Sequence, residues 1–229
     1  MCNPSRMLNL ISRNGMSNLI ESYTPEWYEQ RVGRFTASRL SELLTKPRGK
    51  YHPIVLEKVG EVLTGQSADN TYMSEEMQRG LELEPLAIKW AERNTGLKME
   101  AESYFKTWDE CDAFGATCDR VGMTDDGHKV IVEVKCPKTK THIEYCCFIE
   151  SAEDLKEVNK GYYWQIVAGA IVHDARHGLF VSFDDRINED CGLFLLFFEI
   201  PEEDIETGKA AILKAVEQRN YLVSTFKNN

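Results

Sequence analysis

The stretch Cys118–Pro137, CDRVGMTDDGHKVIVEVKCP, decides how this chain is read. Its second half, Lys129-Val130-Ile131-Val132-Glu133-Val134-Lys135, is dense in β-branched residues and is entered through Asp125-Asp126-Gly127-His128, a turn composition, so it predicts a strand. Alternation along a strand puts Glu133 and Lys135 on one face and Val130, Val132 and Val134 on the other. A shorter predicted strand, Phe114–Cys118, ends in Asp119, and the turn between the two would fold Asp119 back beside Glu133. Two carboxylates about 4 Å apart repel by roughly 4 kcal/mol at an effective dielectric near 20. Such a pair is a poor structural element and a good site for a hard divalent cation, which takes oxygen ligands and keeps some waters. Lys135, beside that ion, would position or activate an attacking water. On spacing alone, a solvated strand face of alternating Glu and Lys competes with this reading.

Working outward, 229 residues with 42% hydrophobic and 28% charged content describe an ordinary globular chain long enough to bury a core. No apolar run approaches a membrane span, and the first fifteen residues lack an apolar segment followed by a small-residue cleavage site, so a cytoplasmic protein is expected. The seven cysteines form no CxxC pair, which argues against a disulfide framework and a zinc ribbon. The net charge is −10, yet Arg31 to Lys58 holds seven basic and two acidic residues, a local excess of five positive charges. A basic patch on an acidic body suits an enzyme that holds DNA locally and releases it easily, although a solvated basic helix face has the same composition.

Along the chain, Thr24-Pro25 starts a helix that Gly33 ends, and Thr36-Ala37-Ser38 opens a second one running to about Thr45. Arg31 and Ser38 supply a cationic fork and a hydroxyl near two helix ends, suited to a phosphate; an Arg ion pair with a Ser cap is the competing account. Lys46-Pro47-Arg48-Gly49-Lys50 is a basic loop before a helix from Pro53 to Leu63. Gln66 to Thr71 reads as an exposed connection. Ser74 caps a long helix to Thr95 that carries Gly80-x-x-x-Glu84, with Pro85 expected to bend it. Strands are expected at Glu102–Trp108, His177–Phe183 and Gly192–Ile200, and mixed helix and loop at Lys138–Glu150 and Glu153–Glu157. Asn159–His173 is an all-round apolar helix in which Gln165 stands out as a polar residue needing partners. A last helix runs from Pro201 to about Val223. The order implies an α/β core with one mixed sheet flanked by helices.

The pieces Trp27-x-x-x-Arg31-x-Gly33-x-x-Thr36-Ala37-Ser38, Gly80-x-x-x-Glu84, Ala116-Thr117-Cys118-Asp119, Glu133-Val134-Lys135-Cys136-Pro137 and Tyr162-Tyr163-Trp164-Gln165 occur in this order over most of the chain. Together they resemble the PD-(D/E)xK nuclease superfamily and, within it, the phage λ exonuclease or YqaJ-type viral recombinase family of alkaline exonucleases. The resemblance implies an α/β, restriction-endonuclease-like core with a mixed central β-sheet flanked by helices. It implies a magnesium-dependent exonuclease on linear double-stranded DNA, with manganese as a substitute, that resects 5′ to 3′ and leaves 3′ single-stranded tails for recombination.

Carried over to matching positions, Asp119, Glu133 and the Val134 carbonyl would hold metal, with Glu84 as a ligand directly or through water. Lys135 would act on the nucleophile, Gln165 would orient the nucleophile or the lysine, and Arg31, Ser38 and Thr117 would take the terminal 5′ phosphate, with Lys46, Arg48 and Lys50 as further DNA contacts. For Lys135 to be a true base its pKa must fall well below about 10.4; otherwise it only orients water. The family further implies a homotrimeric ring around DNA ends, a single-strand annealing protein as partner, and the cytoplasm of a bacterial host of a phage or prophage. The chain then divides into a loosely ordered segment 1–22, a helical DNA-binding part 23–72, a catalytic core 73–200 and a C-terminal helix 201–226 of one nuclease domain. Cys118 stands where the family commonly has Pro, and Arg120 where Gly is common. An endonuclease on the same core, or a non-catalytic DNA-binding or assembly factor, are the alternatives.

Overall fold

Thr24 accepts the Trp27 N–H at 3.3 Å and so starts α1 (Pro25–Arg31), with Pro25 in the first turn where its missing N–H costs nothing. This computed structural model describes residues 24–68, 73–100, 103–188 and 191–228. The expected loose segment 1–22, part of the Gln66–Thr71 connection and the start of the strand expected from Glu102 lie outside the described residues. After α1 the chain turns at Gly33, whose φ of +71° and whose missing Cβ, which would lie 2.6 Å from Val62 Cγ2, both require glycine.

β1 (Phe35–Thr36) and a 3-10 turn, Ala37–Arg39, lead into α2 (Leu40–Leu43). The sequence predicted a helix opening at Thr36; instead Phe35 and Thr36 pair in parallel with Phe114 and Gly115, and one α-turn follows. Burial of Phe35 at that pairing outweighs the local capping signal. α3 (Pro53–Thr64) ends at Gly65, and its Lys58 and Glu61, 1% and 2% exposed, form a buried ion pair at 2.8 Å. Glu61 also accepts the N–H groups of Gly33 at 2.7 Å and Ala68 at 2.9 Å, so the buried charge is fully engaged.

α4 (Glu75–Thr95) starts at the Ser74 cap, stops at Gly96 and runs without interruption through Pro85. Lacking an N–H, Pro85 cannot donate to the Leu81 carbonyl one turn back. The strands β2 (Lys98–Met99), β3 (Phe105–Trp108), β4 (Cys111–Thr117), β5 (Arg120–Met123) and β6 (Lys129–Lys135) follow. The mixed stretches resolve into α5 (Thr139–Phe148) and α6 (Ala152–Val158), and then come α7 (Lys160–His173), β7 (His177–Phe183), β8 (Leu193–Glu199) and α8 (Glu202–Lys227).

The strands form two mixed sheets where the sequence predicted one: β1-β4-β3, and β2-β5-β6-β7-β8. β4 pairs with β1 and β3 rather than with β6, while the short β5, in the stretch expected to be turn, forms the antiparallel partner of β6. β6 runs parallel to β7, the one parallel pair of the larger sheet. Two apolar clusters cover its faces. Val130, Val132 and Val134 pack with Ala87, Ile88 and Ala91 of α4; Ile131 and Phe180 pack with Tyr163, Ile166 and Val167 of α7. The period-2 alternation of β6 is therefore observed as read. A Cβ on Gly169 would lie 2.8 Å from both Cys118 Sγ and Ile131 Cγ2, so glycine lets α7 sit directly on the strand ends that carry the acids. No described helix is long and apolar enough to cross a membrane, and the six described cysteines are free thiols.

Candidate active site

The hairpin of β5 and β6 assembles the centre. Arg120 pairs with Val132, which sets Asp119 opposite Glu133 at the end of the hairpin. There the Val134 main-chain N–H donates to Asp119 Oδ2 at 2.6 Å, a charge-assisted bond that fixes the carboxylate against β6. The Lys135 ammonium donates to Glu133 Oε1 from the same strand face, and lies 5.0 Å above the Tyr162 ring from α7. Glu84 approaches from α4, with its Oε1 3.7 Å from the Arg120 guanidinium, which itself donates to the Asp119 carbonyl. Thus Asp119, Glu133, Lys135 and Glu84 converge as expected from the sequence. Arg120 and Tyr162 join them; Arg120 went unassigned, and its only signal was its replacement of the usual Gly.

A cavity of 640 Å³ opens over this centre. Its wall includes Glu84, Asp119, Arg120, Lys135 and Gln165 together with Arg31, Thr36, Ser38 and Thr117. Arg31 lies over the Trp27 ring at 3.8 Å, and Ser38 Oγ is 3.5 Å from Thr36 Oγ1. Thr117 Oγ1 is buried and has no hydrogen-bond partner among the described residues, an oxygen turned to a wall that a ligand would satisfy. A second, smaller cavity of 320 Å³ shares Glu84, Asp119 and Lys135 and extends along Gly80, Cys136 and Tyr162.

Lys46, Arg48 and Lys50 are placed elsewhere: they are exposed on the loop between α2 and α3 and do not line the cavity. The basic patch is also partly neutralised, since Arg39 pairs with Glu42 and Glu57, and Lys58 with Glu61.

The charges are strongly coupled. Burial, then the charge of Asp119, pushes Glu84 up to about 7 against Arg120 and Lys135. Burial, then Asp119, likewise pushes Glu133, 1% exposed, up to about 8 against the Lys135 ammonium. Burial alone would lower the Lys135 pKa, but Glu133 and Asp119 outweigh it and hold the ammonium above its ordinary value. The fall that a lysine base requires is thus opposite to the direction seen.

Among the described residues, no three acidic, His or Cys side chains are placed to enclose a metal ion by themselves. The oxygens available are the carboxylates of Asp119, Glu133 and Glu84 and the Val134 carbonyl. An all-oxygen, incomplete set of this kind fits a hard ion that keeps several waters better than it fits zinc.

Residues 26–176 match the family of YqaJ-like viral recombinase domains. Among solved structures, the chain is similar to an alkaline exonuclease, LHK-Exo, from Laribacter hongkongensis, with a TM-score of 0.76 and 26% identity over 90% of this chain and 97% of that one. The same figures hold for LHK-Exo solved in complex with dAMP. A phage related exonuclease from Haemophilus somnus 129PT shares the fold, with a TM-score of 0.64 and 18% identity over 84% of this chain and 96% of that one. No curated protein matches the chain.

Proposed function

Since the chain belongs to the YqaJ-like viral recombinase family and is similar in structure to alkaline exonucleases, we propose that it is a 5′ to 3′ exonuclease on linear double-stranded DNA. It leaves 3′ single-stranded tails for recombination by annealing. The observation that carries this reading is the meeting of Asp119, Glu133 and Lys135 at the end of one hairpin, with Asp119 and Lys135 on the wall of a cavity that also holds Arg31, Ser38 and Thr117. A catalytic set in the same cavity as an Arg and two hydroxyls suited to a phosphate fits cleavage counted from a strand terminus.

In this reading Asp119, Glu133, the Val134 carbonyl and Glu84 hold magnesium, or manganese in its place. When bound, the ion supplies a Lewis acid and a water of lowered pKa. Asp119 is kept aimed by the Val134 N–H. Lys135, braced by Glu133 and Tyr162, keeps its proton and orients the attacking water toward phosphorus, and Gln165 supplies a second polar contact to that water. Arg31, Ser38 and Thr117 receive the terminal 5′ phosphate, which sets the register of the cut. The homotrimeric ring, the single-strand annealing partner and action inside a bacterial host cell belong to the same proposal.

Digestion of linear duplex labelled at either the 5′ or the 3′ ends, with and without magnesium, tests it. The 5′ label is expected to be released first and only with the metal. Earlier loss of the 3′ label, or discrete cuts in closed circular DNA, would overturn it.

A further inference from the structure

Three cationic side chains line the large cavity among the described residues: Arg31, Arg120 and Lys135. Lys135 is held by Glu133 and Tyr162, and Arg31, over the Trp27 ring, belongs to the set proposed for the terminal phosphate. Arg120 is engaged less fully. It donates from Nη1 to the neighbouring Asp119 carbonyl, and its approach to Glu84 Oε1, at 3.7 Å, is longer than a hydrogen bond. No described acceptor engages its Nε or Nη2, so most of a five-donor planar fork remains unused on the cavity wall.

Its position in the sheet says what that fork can reach. Arg120 pairs with Val132, whose side chain packs toward α4, whereas Asp119 is set opposite Glu133. Arg120 therefore flanks the acids on the Glu84 side, one residue from Asp119, away from the face where Glu133 and Lys135 lie. We propose that Arg120 grips an internal phosphodiester of the strand being cut, a contact separate from the terminal phosphate. The inference rests on the exonuclease reading of the cavity. A guanidinium takes two non-bridging phosphate oxygens at once, which a lysine cannot reproduce. Arg120 then steadies the chain beside the acids, while the terminal group is held by Arg31, Ser38 and Thr117.

The test is binding of the full-length protein to a fluorescent duplex with 5′-hydroxyl ends, in EDTA so that no cleavage occurs, as a function of salt. Removing the terminal phosphate isolates internal contacts. Arg120→Gln is expected to weaken binding about ten-fold and to lower the slope of log affinity against log salt by about 0.9, the value of one phosphate contact. Arg120→Lys is expected to keep the slope and still bind more weakly. Neutral methylphosphonate linkages at the first three internal positions of the 5′ strand should weaken the unaltered protein more than the Gln variant. Were Arg120 only a structural counter-ion of Glu84, the Gln variant would shift the melting temperature and leave affinity and salt slope unchanged; that result overturns the proposal. Equal sensitivity of both proteins to the methylphosphonates does so as well. If the unaltered protein fails to bind duplex ends or to digest them with magnesium, the exonuclease reading itself falls, which separates the two failures.

Discussion

Asp119 and Val134 lie fifteen residues apart, yet the N–H of one donates to the carboxylate of the other at 2.6 Å. The acid, on the bend between β4 and β5, is thereby held by the backbone of the strand that carries Glu133 and Lys135. Asp119→Asn keeps an oxygen for that N–H and removes the charge. Digestion of linear duplex is expected to drop by at least about a hundred-fold while the variant still unfolds in one cooperative step. Lys135→Ala should abolish digestion equally while leaving end binding largely intact, as read by anisotropy in EDTA. Undiminished digestion by either variant shows the centre to be elsewhere.

The acids also make stability depend on pH in a definite direction. Glu84 and Glu133 are pushed from 4.5 to about 7 and about 8 in the folded chain. Folding therefore favours their protonated forms. The stability this gives is fully present below about pH 4.5 and is lost as pH rises through 7 and 8. The raised Lys135 contributes nothing to the slope between pH 5 and 9, because it stays protonated in both states there. In EDTA the melting temperature should fall across that window, and added magnesium should raise it more at pH 9 than at pH 6. A flat profile in EDTA, or an equal magnesium effect at both values, contradicts the assignment.

End recognition is expected to be local. Arg31→Ala should slow digestion of 5′-phosphorylated duplex several-fold more than Lys50→Ala, because Arg31 lines the cavity and Lys50 stands exposed on the loop after α2. Single-turnover rates on 5′-phosphate and 5′-hydroxyl ends give the comparison. Equal losses for the two variants would remove Arg31 from the phosphate pocket.

The seat of α7 offers a packing test. At Gly169 even one methyl group would press on Cys118 and Ile131, so Gly169→Ala should cost about 1–3 kcal/mol in urea unfolding. It should also slow digestion, because α7 carries Gln165 and Tyr162 to the centre. A fully stable and fully active Ala variant would show that the helix can retreat without consequence.

How much of this was legible beforehand follows from the range of the forces involved. β6 and its two faces, the caps and ends of α1, α3 and α4, and the apolar α7 were readable because each rests on local periodicity or capping. The convergence of Asp119 with Glu133 was readable because one hairpin makes it. β5 was missed because Arg120-Val121-Gly122-Met123 is short and contains glycine, and only its pairing with β6 makes it a strand. The division into two sheets was hidden for a related reason: β4 takes β1, some eighty residues earlier, as its neighbour. The basic patch looked larger in the sequence than it is, since Arg39 and Lys58 meet acids on the same or adjacent helices. Arg120 read as a departure from a pattern; its relation to Glu84 exists only in three dimensions.

The buried carboxylate of Glu61, shared by Lys58, Gly33 and Ala68, ties the turn after α1 to α3, while Thr36 and Thr117 stand on the smaller sheet and not on the one that carries Glu133 and Lys135. The wall proposed to choose the terminus and the floor proposed to cut it are therefore anchored on different foundations. Selection could drift toward other kinds of DNA end through changes around that anchor while the hydrolytic floor stays intact, which makes end preference the more evolvable trait of the two.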